Sequence, residues 1–124
     1  LTFKPDAGRF EEAIVNFPGI WGLDAAIDMI TRLGTLQIEH HILKLTRLAY
    51  GGLKARNYDV VSSFADKERS GILCFKHPSL STQQIWQRLE DANIHLAIRG
   101  DALRMSPSFY NDEDEVNAML AALP

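Results

Sequence analysis

Only two residues, Gly100 and Asp101, separate the apolar run Ile94 to Arg99 from a second run, Ala102 to Ser106. A connection that short cannot carry the chain back to the same end of a sheet, so two strands joined by it must pair antiparallel. Glycine supplies the backbone freedom that such a turn requires. The two runs therefore predict a hairpin, and whatever sheet contains it is at least partly antiparallel.

The remaining periodicities place other elements around this hairpin. Ile20, Leu23, Ala26, Ile27 and Ile30 recur at helical spacing between Gly19 and Leu33, with Gly34 as a stop. Thr35 is suited to cap a second helix running to about Ala55, and so short a junction predicts a helical hairpin. The rhythm then changes to strands at Tyr58 to Val61 and Gly71 to Phe75, separated by the polar stretch SSFADKERS. Ser81 and Gln84 form a capping-box pattern ahead of a helix from about Thr82 to Asp91. Asn111 is positioned to cap a last helix with an acidic first turn and the apolar stripe Val116, Met119, Leu120 and Leu123. The order α, α, β, β, α, β, β, α predicts an α+β fold: a mainly antiparallel sheet of about four strands with helices on one face. The 124 residues suffice for a single domain, 1–124, with its own core.

Charge and composition narrow the partners. A net charge of -3 lacks the concentration of Lys and Arg that phosphate tracking demands, which argues against nucleic acid. No apolar run approaches the roughly 20 residues needed to cross a bilayer, and a soluble, cytoplasmic protein is expected. The single cysteine, Cys74, excludes an internal disulfide and a cysteine-rich zinc site. Leu1 to Pro5 lacks an initiator Met and reads as the tail of an extended linker, so the chain is expected to be part of something longer.

His40 and His41 are adjacent on the second helix and project about 100° apart, which does not suit a shared metal ligand, and no metal site is expected. His77 and His95 have no partners at ligand spacing and read as strand-end residues. Cys74, inside ILCF, reads as a small buried hydrophobe, and Lys76 as a solvated strand-end lysine. Arg99 and Arg104 flank the hairpin turn, and a guanidinium is well suited to grip a carboxylate. The competing structural role pairs them with surface acids such as Asp101 or Asp112; spacing leaves both open.

The segment RFEEAIVNFPGIWGLDAAIDMI, Arg9 to Ile30, resembles the stretch that opens the C-terminal small domain of class V aminotransferases and their cysteine desulfurase and isopenicillin N epimerase relatives. The ending ALRMSPSFYNDEDEVNAML, Ala102 to Leu120, is similar to that family's closing pattern of Arg, Ser, a Tyr-Asn pair and an acidic helix start. With HPSLSTQQIWQRLEDANIHLAIRG between them, the resemblance spans nearly the whole chain.

The resemblance implies a fold-type-I enzyme that uses pyridoxal phosphate on an amino acid, as a transaminase, lyase or epimerase. Its partners would be a large domain, whose Schiff-base lysine lies upstream of this chain, and the second subunit of a homodimer. No catalytic residue is then expected here, and the chain alone is expected to be inactive. Arg104 matches the arginine that binds the substrate carboxylate, with Arg99 as second candidate. Ala13-Ile14-Val15-Asn16 stands where the family often has Gly-Thr-Pro-Asn or Gly-Thr-Leu-Asn, which leaves Asn16 as the cofactor-side candidate, while Ile14 cannot replace the phosphate-binding threonine. The family's desulfurases carry their reactive cysteine on a long loop between the positions of Arg99 and Arg104. Four residues stand there in this chain, which argues against desulfuration by that route. The alternative is a free-standing α+β binding or dimerisation module without catalysis.

Overall fold

A computed structural model describes residues 2–11 and 14–124 of the chain. It divides into two compact units, Leu1–Thr35 and Leu36–Pro124. The first contains a 3-10 turn at Ala7–Phe10 and helix α1, Phe17–Leu33. This helix starts two residues before the predicted Gly19, because the Asn16 side chain accepts the Gly19 N–H and Pro18 occupies the first turn, where a missing N–H is harmless. Gly34 ends it at φ 86°, a left-handed conformation that favours glycine. No residue of α1 is buried, and Trp21 is 70% exposed.

The second unit is built on helix α2, Thr35–Ala55, whose first residue is Thr35. Its strands are β1, Asp59–Val60; β2, Leu73–Lys76; β3, Ala97–Arg99; and β4, Ala102–Met105. Helices α3, Thr82–Asp91, and α4, Glu113–Ala122, complete it. The strands form one four-stranded antiparallel sheet in the order β1-β2-β4-β3, so the sequence-adjacent β3 and β4 form the predicted hairpin and β4 is inserted beside β2.

Alternation along β2 and β4 sends Leu73, Phe75, Leu103 and Met105 into the core. There they join Leu45, Ala49 and Leu53 of α2, Ile85 and Leu89 of α3, and Val116, Met119 and Leu120 of α4. The α+β architecture with an antiparallel sheet is thus the predicted one. The Ser81 and Gln84 capping box is present at the start of α3.

Three further boundaries differ from expectation for identifiable reasons. The first strand leaves the ladder after Val60, where the amides of Val61 and Ser62 both point at the Cys74 carbonyl and the Ser62 hydroxyl takes the Cys74 N–H. The third strand starts at Ala97 rather than Ile94, because Ile94 N–H bonds the Leu89 carbonyl and Leu96 O accepts from the Trp86 indole, tying 94–96 to α3 instead of the sheet. The last helix is capped by Asp112, not Asn111: the Asp112 carboxylate accepts from Glu115 N–H while the Glu115 carboxylate accepts from Asp112 N–H. A charged cap at the positive end of the helix dipole outcompetes the neutral amide one residue earlier.

Candidate functional site: the cleft beside Arg104

The register brings Cys74 of β2 and Ala97 of β3 directly opposite Arg104 on the two sides of β4. Arg99 faces Ala102 one step along, so Ala97, Arg99, Ala102 and Arg104 share the sheet face turned away from the Leu103 and Phe75 core. Cys74, expected as a core hydrophobe, lies on this outer face and is half-buried. The pleat explains the difference: within ILCF only alternate residues point inward.

Arg104 is half-buried and borders a cleft of about 660 Å³ whose lining includes Asn93, His95, Ser106, Asn111 and Glu115. Its Nε is fully buried and has no hydrogen-bond partner. A buried guanidinium nitrogen left unpaired is costly unless something that arrives later pairs with it. The acids proposed as structural partners are engaged elsewhere. Asp101 pairs with Lys76 at 2.6 Å, and Asp112 caps α4. The cleft's own carboxylate, Glu115, accepts from Asn111 Nδ2 and from Asp112 N–H, each at 3.0 Å. Arg104 thus lines a cavity of small-ligand size and has no acid in salt-bridge range among the described residues.

Arg99 is exposed, and its Nη1 donates to the Ile98 carbonyl at 3.2 Å. The two candidate arginines therefore occupy different settings on one face: Arg104 borders the cleft and Arg99 stands by the turn. Lys76 is not simply solvated, for its bond to Asp101 raises its own pKa and holds the Asp101 carboxyl below the usual carboxylate range. That ion pair ties β2 to the Gly100 and Asp101 turn.

The four histidines do not converge. His77 Nδ1 accepts the amides of Ser79 and Leu80, His95 Nδ1 meets the Glu90 carboxylate, and His41 Nε2 donates to the Asn111 carbonyl at 2.8 Å. Among the described residues no three His, Cys, Asp or Glu side chains are grouped to hold a metal, and no helix is long and apolar enough to cross a membrane.

On the cofactor side, Ala13 lies outside the described residues. Ile14 is 80% exposed and has no hydrogen-bonding side chain, and the Asn16 side-chain oxygen Oδ1 accepts the Gly19 N–H at 3.1 Å. The Asn16 bond occupies the side-chain oxygen only, and its amide nitrogen has two N–H donors, whereas Ile14 has none. Sequence reading found Arg104 but missed the cleft's other walls. The Ser106 to Asn111 wall depends on an Asn111 whose cap-like residue type drew attention to α4 instead.

Comparison with known proteins places this geometry in context. Residues 1–119 match the family model of aminotransferase class V. A cysteine desulfurase of Yersinia pseudotuberculosis serotype O:1b is 29% identical over 135 residues, covering 98% of this chain and 33% of its own length. The apo structure of a cysteine desulfurase from Thermococcus onnurineus NA1 superposes with a TM-score of 0.85 at 26% identity, covering 97% of this chain and 33% of that one. A cystine C–S lyase in complex with cysteine persulfide gives a TM-score of 0.77 at 28% identity, covering 91% and 30%. A variant of the same lyase carries glycine covalently linked to its PLP cofactor. The chain spans about a third of the length of each of these relatives.

Proposed function

Since the chain belongs to the aminotransferase class V family, we propose that it supplies the carboxylate-binding part of a pyridoxal-phosphate enzyme acting on an amino acid. The observation that carries this is the buried, unpartnered Nε of Arg104 beside a cleft of about 660 Å³. A carboxylate entering there would satisfy the orphaned donor and neutralise the cation at once, and a bidentate grip would also fix the orientation of the reacting end. Arg99, exposed and one step along the same face, has the lesser role of attracting the anion.

The cofactor belongs to the intact enzyme's other parts in this proposal. Ile14 has no donor to offer a phosphate, and Asn16 keeps its side-chain amide donors as the candidate on that side, with no step assigned to it. The large domain and a second subunit are the partners that go with such an enzyme. The exposed apolar residues of α1, Phe17, Trp21 and Ile27 among them, suit a helix covered by further protein. Although the named relatives include desulfurases, only the turn Gly100 and Asp101 joins β3 to β4, which leaves no loop there to present a reactive cysteine. Transamination, elimination and epimerisation are the reactions this favours.

In the full-length enzyme, Arg104→Ala is expected to raise KM for the amino-acid substrate about ten- to hundredfold, the range of a charged hydrogen bond. Arg99→Ala is expected to change it less than about threefold. Equal and negligible effects would remove the assignment.

A further inference from the structure

The segment from Ser106 to Asn111 leads from β4 into α4 and contributes Ser106, Pro107 and Asn111 to the cleft beside Arg104. It has no ladder to hold it. Its internal bonds form one small turn: Asn111 Oδ1 accepts the Ser108 N–H at 2.8 Å, and Asn111 N–H reaches the Ser108 carbonyl at 3.2 Å. Asn111 Nδ2 then joins this turn to Glu115 of α4. All of these are local. The hydrogen bond that ties the turn to a distant element is the one from His41, seventy residues earlier on α2, to the Asn111 carbonyl at 2.8 Å. One helical turn further along α2, Lys44 forms an ion pair with Glu113 of α4.

We propose that His41 is a positioning residue for the substrate cleft: by donating Nε2–H to the Asn111 carbonyl, it anchors the Ser106 to Asn111 wall on α2 and so fixes the space in front of Arg104. The acceptor is a carbonyl, so Nε2 must carry a proton whether the ring is neutral or cationic. That demands the Nε2–H tautomer at neutral pH and separates an oriented donor from a ring that merely fills volume. His41 is half-buried and Asn111 partly buried, so the bond is shielded from water competition on part of its surface. This assignment rests on the Arg104 cleft as the substrate site, but the anchoring of the wall is measurable without substrate.

The test uses the full 124-residue chain and three variants of position 41. Side-chain nitrogen shifts of His41 are expected to report the Nε2-protonated tautomer. Amide hydrogen exchange at Ser108 and Asn111 is expected to accelerate about two- to tenfold in His41→Leu, the range one hydrogen bond accounts for. It is expected to return to within about twofold in His41→Gln, whose terminal amide nitrogen can occupy the Nε2 position. Amides of β2 and β4 serve as the unchanged reference. If the leucine variant does not fold, His41→Asn, polar but too short to reach, replaces it with the same expected acceleration.

In the full-length enzyme, His41→Leu should raise KM for the amino acid severalfold with kcat nearly unchanged, and His41→Gln should restore it. Unchanged exchange in the leucine or asparagine variant, an Nδ1–H tautomer, or a glutamine variant no better than leucine would overturn the role of His41. An Arg104→Ala enzyme with unaltered KM would instead overturn the carboxylate assignment, and with the exchange result intact would leave His41 as the anchor of a wall that binds something else.

Discussion

Replacing Arg104 by methionine separates a binding arginine from a structural one by the sign of its effect on stability. The guanidinium Nε is buried without a partner, and no acid lies in salt-bridge range of Arg104 among the described residues. An unsatisfied buried donor costs about 1–3 kcal/mol. Methionine keeps most of the unbranched stem that packs on the outer sheet face and removes the donor. Part of the gain is lost because the half-buried guanidinium retains hydration through its exposed atoms, which leaves a net stabilisation of about 1 kcal/mol. For a cooperative unit of the size of Leu36–Pro124, that corresponds to a melting temperature higher by about 4–8 °C. Thermal and urea unfolding followed by circular dichroism would read both numbers, and the urea midpoint should rise at constant slope. Tyr58→Phe is the control, since the Tyr58 hydroxyl is also buried and unpartnered but lies away from the cleft. It should stabilise the fold without affecting KM in the full-length enzyme, whereas Arg104→Met should stabilise the fold and lose binding. A methionine variant less stable than the parent by 1 kcal/mol or more would show that the guanidinium holds the fold together, and would refute the inference from its unpaired state.

Adjacent glycines in α2 should respond to alanine with opposite signs. A Cβ on Gly52 would run into both methyl groups of the buried Leu120, while one on Gly51 would meet nothing within 4 Å. Gly51→Ala should therefore stabilise by up to about 1 kcal/mol through helix propensity. Gly52→Ala should destabilise by about 1 kcal/mol after overpacking is set against the same propensity gain; equal melting temperatures for the two variants would contradict the α2 to α4 packing. The Lys76 and Asp101 pair should show in pH titrations. Asp101 is held low by its bond to Lys76, so its contribution is present above the ordinary carboxylate range and is lost as pH falls through the lowered pKa. Lys76, held high by the same bond, contributes below the ordinary amine range and loses that contribution as pH rises through its raised pKa. Carbon-detected NMR should find the Asp101 carboxyl titrating below other exposed aspartates and returning toward them in Lys76→Met. An unmoved titration would dissolve the pair.

Local signals in the sequence were decoded where one physical rule acts alone. Ser81 and Gln84 announce a capping box that is present, and the two-residue turn at Gly100 and Asp101 compels the antiparallel hairpin that β3 and β4 form. Boundaries failed where a tertiary partner competed with the local preference. Ile94 to Leu96 has strand-like residues, but α3 takes its hydrogen bonds, and Asn111 has a cap-forming side chain, but Asp112 with its charge takes the helix end. The same division runs through the candidate site. That Arg104 is an arginine beside a turn is visible in one dimension. That it is unpaired is not, because this depends on Lys76 claiming Asp101 from 25 residues away and on Glu115 being held by Asn111 and Asp112.

Such competition carries the functional argument further than spacing can. An arginine near several acids would ordinarily be neutralised by one of them, and the sequence offers Asp101, Asp112, Glu113, Asp114 and Glu115 within eleven residues of Arg104. Asp101 is held by a lysine across the sheet, Asp112 and Glu115 by the capping box they share at the start of α4, and Glu113 by Lys44 of α2. Removing these competitors should silence Arg104 rather than improve the fold around it: freeing Asp101 in Lys76→Met gives the outer face an unpaired acid next to the hairpin bearing both arginines. The absence of an acid partner for Arg104 is therefore a property of the whole network of acids and their partners, and not of Arg104 alone.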